Sequence, residues 1–358
     1  MTPIQDSPLQ QSWALPANPK PIVLVGAGGI VRDAHLPAYR KAGFEVCGVF
    51  DTDAGQSTSL AKDWNIPTVF DSFENAVKKS GTDVIYDLAI PPHAIVDTLE
   101  KLPQGAAVLI QKPMGSNLAD AKRIRDLASA RNLKAAVNFQ LRFSSMMLAA
   151  ADMIKRDLIG DLLEIDVQVN IFTPWHLFPF LLGLNRVEIS VHSIHYLDMI
   201  RAFAGNPQSV FCKTMGDPRS TDYAQTRTSA ILDYGADLRV IMNVNHNHLG
   251  GSDHQIARFR LEGDKGSLLV KLGVLYDYPR GQPDEVLFCP NGGAWESLDL
   301  EGSWFPDAFV GTMSNVQRFD SGEDDHLVSN VADAFETMAL VEACYEANSL
   351  SGVKPKLN

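Results

Sequence analysis

Asn185–Asp198, with the sequence NRVEISVHSIHYLD, concentrates side chains that can bind a metal or move a proton. Glu188, His192 and His195 are spaced four and three residues apart, and Asp198 follows three residues later. Residues at these spacings are neighbours on an α-helix, so the pattern predicts that the first three lie on nearly one face. A metal site, a catalytic base and a helix with ordinary polar decoration are all open on this pattern alone.

The overall composition narrows the class of protein. A chain of 358 residues is long enough for two domains, and 45% hydrophobic with 21% charged residues is typical of soluble globular proteins. The net charge of −12 argues against a nucleic-acid partner or an anionic membrane surface. Residues 1–20 lack the basic start and apolar core of a signal peptide, which predicts a flexible leader and a cytoplasmic protein.

The cysteines do not indicate a metal site. They are widely separated and form no CxxC pair: Cys47, Cys212, Cys289 and Cys344. This spacing argues against a zinc–thiolate centre and favours free thiols in a reducing compartment.

Short apolar runs alternate with helical patterns over residues 21–142. The runs PIVLV, FEVCGVF, DVIYDLAI and AAVLI are typical of strands buried on both faces, and patterns such as SFENAVKKSG lie between them. Alternating strands and helices predict an α/β fold with a doubly wound parallel sheet.

The first predicted strand runs directly into the sequence GAGGIV. Such glycines let a backbone approach a pyrophosphate at a helix N-terminus, although a tight strand–helix turn is the alternative. Asp51 ends the second strand, where an acid would bind the ribose 2′-hydroxyl. No Arg or Lys follows at positions 52 and 53 to bind a 2′-phosphate, which predicts NAD over NADP. The predicted contacts here are Gly26, Gly28, Gly29, Ile30 and Asp51.

Two further strand ends carry distinctive residues. In an open parallel sheet, ligands lie at the carboxyl ends of the strands, so these residues and the glycine loop are expected to converge on one crevice. A buried lysine has to be paired or functional, but a surface lysine at a strand end is equally compatible with the position of Lys112. The predicted contacts at these ends are Ala89, Pro91, Pro92, His93, Gln111 and Lys112.

The second half changes to strict alternation. In LLEIDVQVNIF apolar and polar residues alternate, which indicates a strand with one buried face, and TSAILDY and LRVIMNVNHNH continue the pattern. The other face of such a sheet is either solvated or a subunit interface, and a large open sheet invites pairing into a homodimer or homotetramer.

The order of six motifs resembles the glucose–fructose oxidoreductase / inositol dehydrogenase / MocA family of NAD(P)-dependent oxidoreductases. The motifs are VGAGGIVRDAHLPAYRKAGFEVCGVFDTD, LAIPPHA, VLIQKPMGSNLADAKRI, VNFQLRFS, VEISVHSIHYLD and SGEDDHLVSN. The resemblance implies a Rossmann domain over residues 21–142, then an α/β domain over 143–358 with a large, mostly antiparallel open sheet. It also implies hydride transfer between a nicotinamide and a sugar, polyol or related carbonyl compound.

Carried over by position, Lys112 corresponds to the motif lysine of the family and His192 to its catalytic histidine. Glu188 stands where the family usually has Asp. Gln111 replaces the usual Glu, and Gln140 replaces a common Asn in the preceding strand. These departures imply a subfamily with its own substrate.

The implied chemistry requires a base and a group that stabilises the reacting oxygen. Histidine suits the base because its pKa lies near working pH, so we expect His192 in this role. Lys112 would donate a hydrogen bond to the reacting oxygen, and Glu188 would orient the lysine or the substrate hydroxyls. Nicotinamide takes the hydride, so no metal is needed. A capping box with Asn185 is the alternative for Glu188.

Further residues are predicted to contact the substrate. Trp175 could stack on a sugar or nicotinamide ring or serve packing alone, and Arg142 could bind a hydroxyl-rich or carboxylated compound. His195 could line the rim of the pocket or satisfy a local hydrogen bond. The predicted substrate contacts are Lys112, Gln140, Arg142, Trp175, Glu188, His192 and His195.

Three rival functions stay open. An enzyme of the same fold could use NAD only transiently to cleave a glycosidic bond or eliminate a group. A regulator could keep the nucleotide fold without catalysis, although Lys112 and His192 argue against it. A metal enzyme is the third.

Overall fold

The computed structural model describes residues 8–355, which divide into two compact units. The first unit contains residues up to 158 together with 283–286 and 297–338, and the second contains 159–282, 287–296 and the residues from 339 onward. The family resemblance implied a single boundary after residue 142, whereas the first unit also includes segments from late in the chain. Within the described residues, no helix is long and apolar enough to cross a membrane.

A five-stranded parallel sheet forms the centre of the first unit. Its order is β2-β1-β3-β4-β5, and every position of β1, β3 and β4 is buried, as expected when helices cover both faces. The predicted parallel Rossmann sheet is confirmed. The strands are β1 Ile22–Val25, β2 Val46–Phe50, β3 Ile85–Leu88, β4 Ala107–Ile110 and β5 Lys134–Val137.

The helices around this sheet come from two distant parts of the chain. Those before residue 158 are α1 Leu36–Ala42, α2 Ala54–Trp64, α3 Phe73–Ser80, α4 Ile95–Lys101, α5 Leu118–Ala130 and α6 Ser145–Lys155. Phe309 and Met313, on the helix Asp307–Ser321, share a core with Ile22 and Leu109 of the sheet. This helix therefore packs in the first unit, although the resemblance implied a second domain over 143–358.

The segment over residues 8–20 is held against the first unit. Trp13 donates its indole N–H to Asp324 Oδ2 at 2.8 Å, and its ring packs edge-on against Phe143 at 5.2 Å. The Ala17 N–H donates to Glu323. These contacts differ from the flexible leader that the composition predicts for residues 1–20, and residues 1–7 lie outside the described part.

The second sheet has eight strands in the order β13-β12-β11-β10-β6-β9-β8-β7. β6 and β9 are parallel, whereas β6–β10, β10–β11, β8–β9 and β7–β8 are antiparallel, so the mostly antiparallel sheet is confirmed. The strands are β6 Leu162–Asn170, β7 Ser209–Met215, β8 Arg227–Asp233, β9 Arg239–Asn245, β10 Ile256–Gly263, β11 Gly266–Lys271, β12 Glu285–Pro290 and β13 Glu296–Ser297.

Three helices complete the chain: α7 Ile194–Ala204, α8 Asp307–Ser321 and α9 Val331–Ser349. A π-helical turn over Glu188–Ser193 leads directly into α7. One face of β7 and β8 is buried, whereas the opposite face exposes the large apolar side chains of Phe211, Met215 and Ile231. This exposed face leaves the second sheet open on that side among the described residues.

Candidate functional site

The strand ends of the first unit form a continuous row. One more ladder hydrogen bond is made beyond β1, β3, β4 and β5. These bonds run from Gly26 N–H to Phe50 O, Ala89 N–H to Val25 O, Gln111 N–H to Leu88 O and Asn138 N–H to Ile110 O, all at 2.8–2.9 Å. Three of the predicted cofactor contacts, Gly26, Ala89 and Gln111, therefore lie at one edge of the sheet.

Only glycine fits at position 26. Its φ is +107°, and a Cβ added there would lie 2.2 Å from the carbonyl oxygen of Ala89. Gly28 differs, because an added Cβ would meet no protein atom within 4 Å. Gly28 and Gly29 are exposed, and Ile30 precedes the helical stretch that begins at Val31. The loop thus leaves space beside a helix N-terminus, which suits the phosphates of a dinucleotide.

Asp51 is fixed beside this loop. Its Oδ2 accepts the Ala27 N–H at 2.7 Å, and its Oδ1 accepts the Asp53 N–H at 2.8 Å. Asp53 caps α2 by accepting N–H bonds from Gly55 and Gln56, and these bonds lower the pKa of the Asp53 carboxyl. The sequence from Thr52 to Gln56 contains no cation.

The end of β3 lies open to solvent. Pro91 and His93 are exposed, whereas Ala89 and Pro92 are half-buried. Pro92–Ala94 forms a 3-10 turn that leads into α4. The described contacts place the backbone of Ala89, but not the His93 ring, against the glycine loop.

Lys112 lies two residues beyond the end of β4 and is half-buried. Burial lowers the pKa of its ammonium group to about 8. Its backbone N–H donates to Gln111 Oε1 at 2.8 Å, and Gln111 Nε2 lies 3.2 Å from His35 Nε2. Gln111 therefore links the backbone of Lys112 to His35, which ends the helical stretch that begins at Val31.

His35 lies in a polar cluster that sequence reasoning missed. His35 and Asp87 have no exposed surface, and His35 Nδ1 lies 2.7 Å from Asp87 Oδ2. Tyr39 donates its hydroxyl to the same Asp87 oxygen at 2.7 Å, and burial together with Asp87 raises the pKa of Tyr39 well above its usual value. Two signals were available: His35 and Tyr39 stand four residues apart, and Asp87 interrupts an apolar strand.

Gln140 and Arg142 lie in a 3-10 turn, Gln140–Phe143, rather than in a strand, because β5 ends at Val137. Gln140 is 3% exposed, and its Oε1 has no hydrogen-bond partner among residues 8–355. Arg142 Nη2 lies 2.8 Å from Asp333 Oδ2, and the Arg142 side chain is nearly buried. Of these two predicted substrate contacts, Gln140 has a side-chain oxygen that accepts no hydrogen bond among the described residues. The guanidinium group of Arg142, in contrast, pairs with the carboxylate of Asp333.

Glu188 is completely buried in the second unit. Its Oε1 accepts the Ser193 hydroxyl at 2.6 Å, and its Oε2 accepts the Thr228 hydroxyl. The prediction that Glu188, His192 and His195 share one face of an α-helix differs from the structure, because Glu188–Ser193 forms a π-helical turn. Residues five apart approach each other in such a turn, so the Glu188 carboxylate accepts a hydrogen bond from Ser193. The alternative of a capping box with Asn185 also differs from the structure, because Val187 is the residue before the turn and no side chain caps the turn.

His192 stands in an aromatic cluster. Its ring centroid lies 4.4 Å from that of His246, and Trp175 and Phe178 meet it edge-on at 6.0 and 6.4 Å. Trp175 in turn stacks on Tyr223 at 4.5 Å. The structure therefore brings together two of the predicted substrate contacts, Trp175 and His192.

His246 connects this cluster to Glu188. It is 1% exposed, its Nδ1 lies 2.8 Å from Thr173 Oγ1, and its Nε2 lies 3.4 Å from Glu188 Oε1. The sequence NHNHLGGSDH favours a position for His246 in the polar wall of a pocket or in an exposed turn. Because His246 is buried, an exposed turn does not fit the structure. Alternation along β9 was the signal for burial, because Met242 and Val244 are also buried.

The remaining polar residues of α7 are core residues. His195 is 7% exposed and Asp198 is 1% exposed. The burial of His195 differs from a position on the rim of a pocket. Across the described residues, no three His, Cys, Asp or Glu side chains form a group that could hold a metal ion.

Two family-level matches cover most of the chain. Residues 20–139 match a family described as an oxidoreductase family with an NAD-binding Rossmann fold. Residues 151–354 match the C-terminal α/β domain of the same oxidoreductase family.

Individual relatives agree with these matches. The chain is 31% identical to the YceM protein of Salmonella typhimurium over 35% of its own length and 40% of that protein. It is 23% identical to D-xylose 1-dehydrogenase (NADP(+)) 2 of Haloferax volcanii over 61% of its length and 67% of that enzyme. Several other curated relatives are matched over only 36% to 46% of their own length.

The fold is shared with solved structures. An oxidoreductase from Agrobacterium radiobacter, solved with NAD+, L-tartaric acid and magnesium, superposes with a TM-score of 0.77 at 19% identity. The match covers 93% of this chain and 97% of that one.

Proposed function

Because the chain belongs to the glucose–fructose oxidoreductase / inositol dehydrogenase / MocA family of oxidoreductases, we propose that it transfers a hydride between NAD and a sugar, polyol or sugar-derived substrate. The observation that carries the proposal is Lys112. Its pKa is lowered to about 8, and it follows β4 at the sheet edge that carries the glycine loop. A lysine with this pKa can donate a proton or a hydrogen bond near neutral pH.

Bound NAD would supply the acceptor for a hydride, which leaves the substrate carbon with its electron pair. The protein then has to accept the hydroxyl proton, and we assign this to a ring nitrogen of His192. Lys112 donates a hydrogen bond to the same oxygen and stabilises the negative charge that develops as the proton leaves. In the reverse direction His192 returns the proton to the oxygen.

Glu188 is proposed as a positioning residue. One Glu188 oxygen accepts a hydrogen bond from the Ser193 hydroxyl, and the other accepts one from the Thr228 hydroxyl. The same carboxylate faces His246, and the His246 ring packs against the ring of His192. This arrangement supports an action through the two histidines rather than direct contact with the substrate. The Gln140 Oε1 atom, buried without a partner among the described residues, is proposed as an acceptor for a substrate or cofactor hydroxyl.

The predicted homo-oligomer is also proposed. Phe211 and Ile231 are cross-strand neighbours on the exposed face of β7 and β8, at 65% and 53% exposure. Large apolar side chains clustered on an open sheet support pairing with a second copy. A cytoplasmic location stays a prediction.

The function is tested by incubating the protein with NAD and a panel of sugars, polyols and sugar acids. We expect NADH absorbance to rise with at least one class. Lys112→Ala is expected to lower turnover at least about 100-fold with little change in NAD affinity. Lys122→Ala, on the surface of α5, is the matched control. Substrate consumption without net NADH would instead indicate non-redox chemistry, and full activity in Lys112→Ala would refute the role of the lysine.

The preference for NAD depends on Asp51. Removing its carboxylate in Asp51→Ala is expected to weaken NAD binding about 10-fold, because a charge-assisted bond to a ribose hydroxyl is lost. NADP binding is expected to change less or to improve, since the carboxylate no longer repels the 2′-phosphate. Calorimetric titration of both nucleotides measures the ratio. Asp53→Ser, which keeps a helix cap, is the control. Tighter binding of NADP than NAD by the native protein would contradict the proposal.

The lowered pKa of Lys112 predicts an alkaline limit to activity. Because the neutral amine carries no positive charge and is a much weaker donor than the ammonium, kcat/KM is expected to fall by up to about tenfold per pH unit as pH rises through about 8. Lys112→Arg keeps its proton far above this range, so its alkaline decline is expected to disappear although its rate is lower. A pH profile of both proteins checks this. An unchanged alkaline limb in Lys112→Arg would mean that another group titrates.

His246 is predicted to act on His192. His246→Asn is expected to lower kcat about 10- to 100-fold with a smaller change in KM, because the His192 ring loses the neighbour that orients it. His248→Asn is the control, since His248 bonds Asn170 and the carbonyl of Asp253 instead. Steady-state kinetics on the best substrate of the panel measure both variants. Equal effects of the two substitutions would count against the assignment.

A further inference from the structure

A chain of hydrogen bonds leads from the backbone of Lys112 into the buried interior of the first unit. The Lys112 N–H donates to Gln111 Oε1 at 2.8 Å, and Gln111 Nε2 lies 3.2 Å from His35 Nε2. On the other side of the ring, His35 Nδ1 lies 2.7 Å from Asp87 Oδ2. The chain ends at the Asp87 carboxylate in β3.

The direction of every bond in this chain follows from its first atom. A backbone N–H can only donate, so the atom of Gln111 that faces Lys112 has to be its oxygen. The Gln111 NH₂ group then faces His35, and His35 Nε2 has to accept. The single ring proton of His35 is therefore on Nδ1, which donates to Asp87.

The neighbouring groups agree with this assignment. Asn138 Nδ2, a second amide donor, lies 3.4 Å from His35 Nε2, and Tyr39 donates its hydroxyl to Asp87 Oδ2. Asp87 and Tyr39 are the titratable groups with described contacts to His35, while Phe309 packs against the ring at 5.0 Å. His35, Asp87 and Asn138 are all fully buried, which strengthens each bond and makes a mismatched one costly.

We propose that Asp87 and His35 are positioning residues that act through Gln111 to hold the backbone at Lys112, and that the Gln111 amide is matched to the neutral, Nδ1-protonated form of His35. A carboxylate at position 111 would face the lone pair of His35 Nε2 and would draw a second proton to the ring. The catalytic consequence rests on the proposed role of Lys112, whereas the state of the His35 ring does not.

The ring state is measured by nitrogen NMR of the full-length protein labelled in histidine, with the His35 signals assigned by their loss in His35→Gln. We expect the native protein to show a neutral ring protonated on Nδ1 near pH 7. In Gln111→Glu we expect both ring nitrogens to be protonated at the same pH. Gln104→Glu, an exposed residue, adds the same charge and is expected to leave the His35 signals unchanged. A native ring protonated on Nε2, or an unchanged ring in Gln111→Glu, would overturn the proposal.

The positioning role is separated from simple stability by two substitutions at one site. His35→Gln offers an oxygen to the Gln111 amide but no donor to Asp87, whereas His35→Asn offers a donor to Asp87 but no acceptor to Gln111. Each variant loses one link of the chain, so we expect similar losses of folding stability.

The two variants are expected to differ in catalysis. We expect kcat of His35→Gln within about 3-fold of native and kcat of His35→Asn lower by about 10-fold or more, with KM values near native in both. Equal losses of kcat that follow the unfolding free energy would assign His35 a structural role only and overturn its positioning role. If no substrate is turned over, the proposed function fails, and the nitrogen spectra still decide the His35–Gln111 match.

Discussion

The ladder of hydrogen bonds between neighbouring parallel strands is the constraint on which the first unit depends. It continues one residue past β1, β3, β4 and β5, at Gly26, Ala89, Gln111 and Asn138. Because a parallel ladder fixes the register of each strand against the next, residues far apart in sequence occupy one row. The glycine loop, the lysine that follows β4 and the amides that face His35 inherit their positions from this row.

Each unit also contains a buried carboxylate that a histidine faces. Asp87 lies beside His35 and accepts a hydrogen bond from the Tyr39 hydroxyl. Glu188 lies beside His246 and accepts hydrogen bonds from the Ser193 and Thr228 hydroxyls. A buried carboxylate is costly unless donors surround it, so these hydroxyls stabilise the charge in place. The consequence is that each histidine has a carboxyl group fixed beside its ring, which helps to set the orientation of that ring.

Several features were accessible to pattern reasoning because they depend on neighbours in sequence. Apolar runs predicted the parallel strands, alternation predicted the strand Leu162–Asn170, and the strand-end rule pointed to Gly26, Asp51 and Lys112. The face of Glu188 was inaccessible, because the pattern alone does not distinguish a π-helical turn from an α-helix. The packing of the helix Asp307–Ser321 on the first sheet was likewise inaccessible, since sequence order carries no information on which sheet a late helix covers.

The sequence by itself determined the class of fold, the family motifs and the types of group that could do chemistry. Those depend on local periodicity, on glycine at a backbone position that excludes a Cβ and on short spacings. Only the tertiary structure decided that Gln111 lies between Lys112 and His35, and that His246 lies between Glu188 and His192. The physical reason is that His35 lies 76 positions from Gln111, and His246 lies 58 and 54 positions from Glu188 and His192, so these side chains meet only where strands and helices pack. Burial then removes competing water, so each side chain is left with the partners that packing supplies.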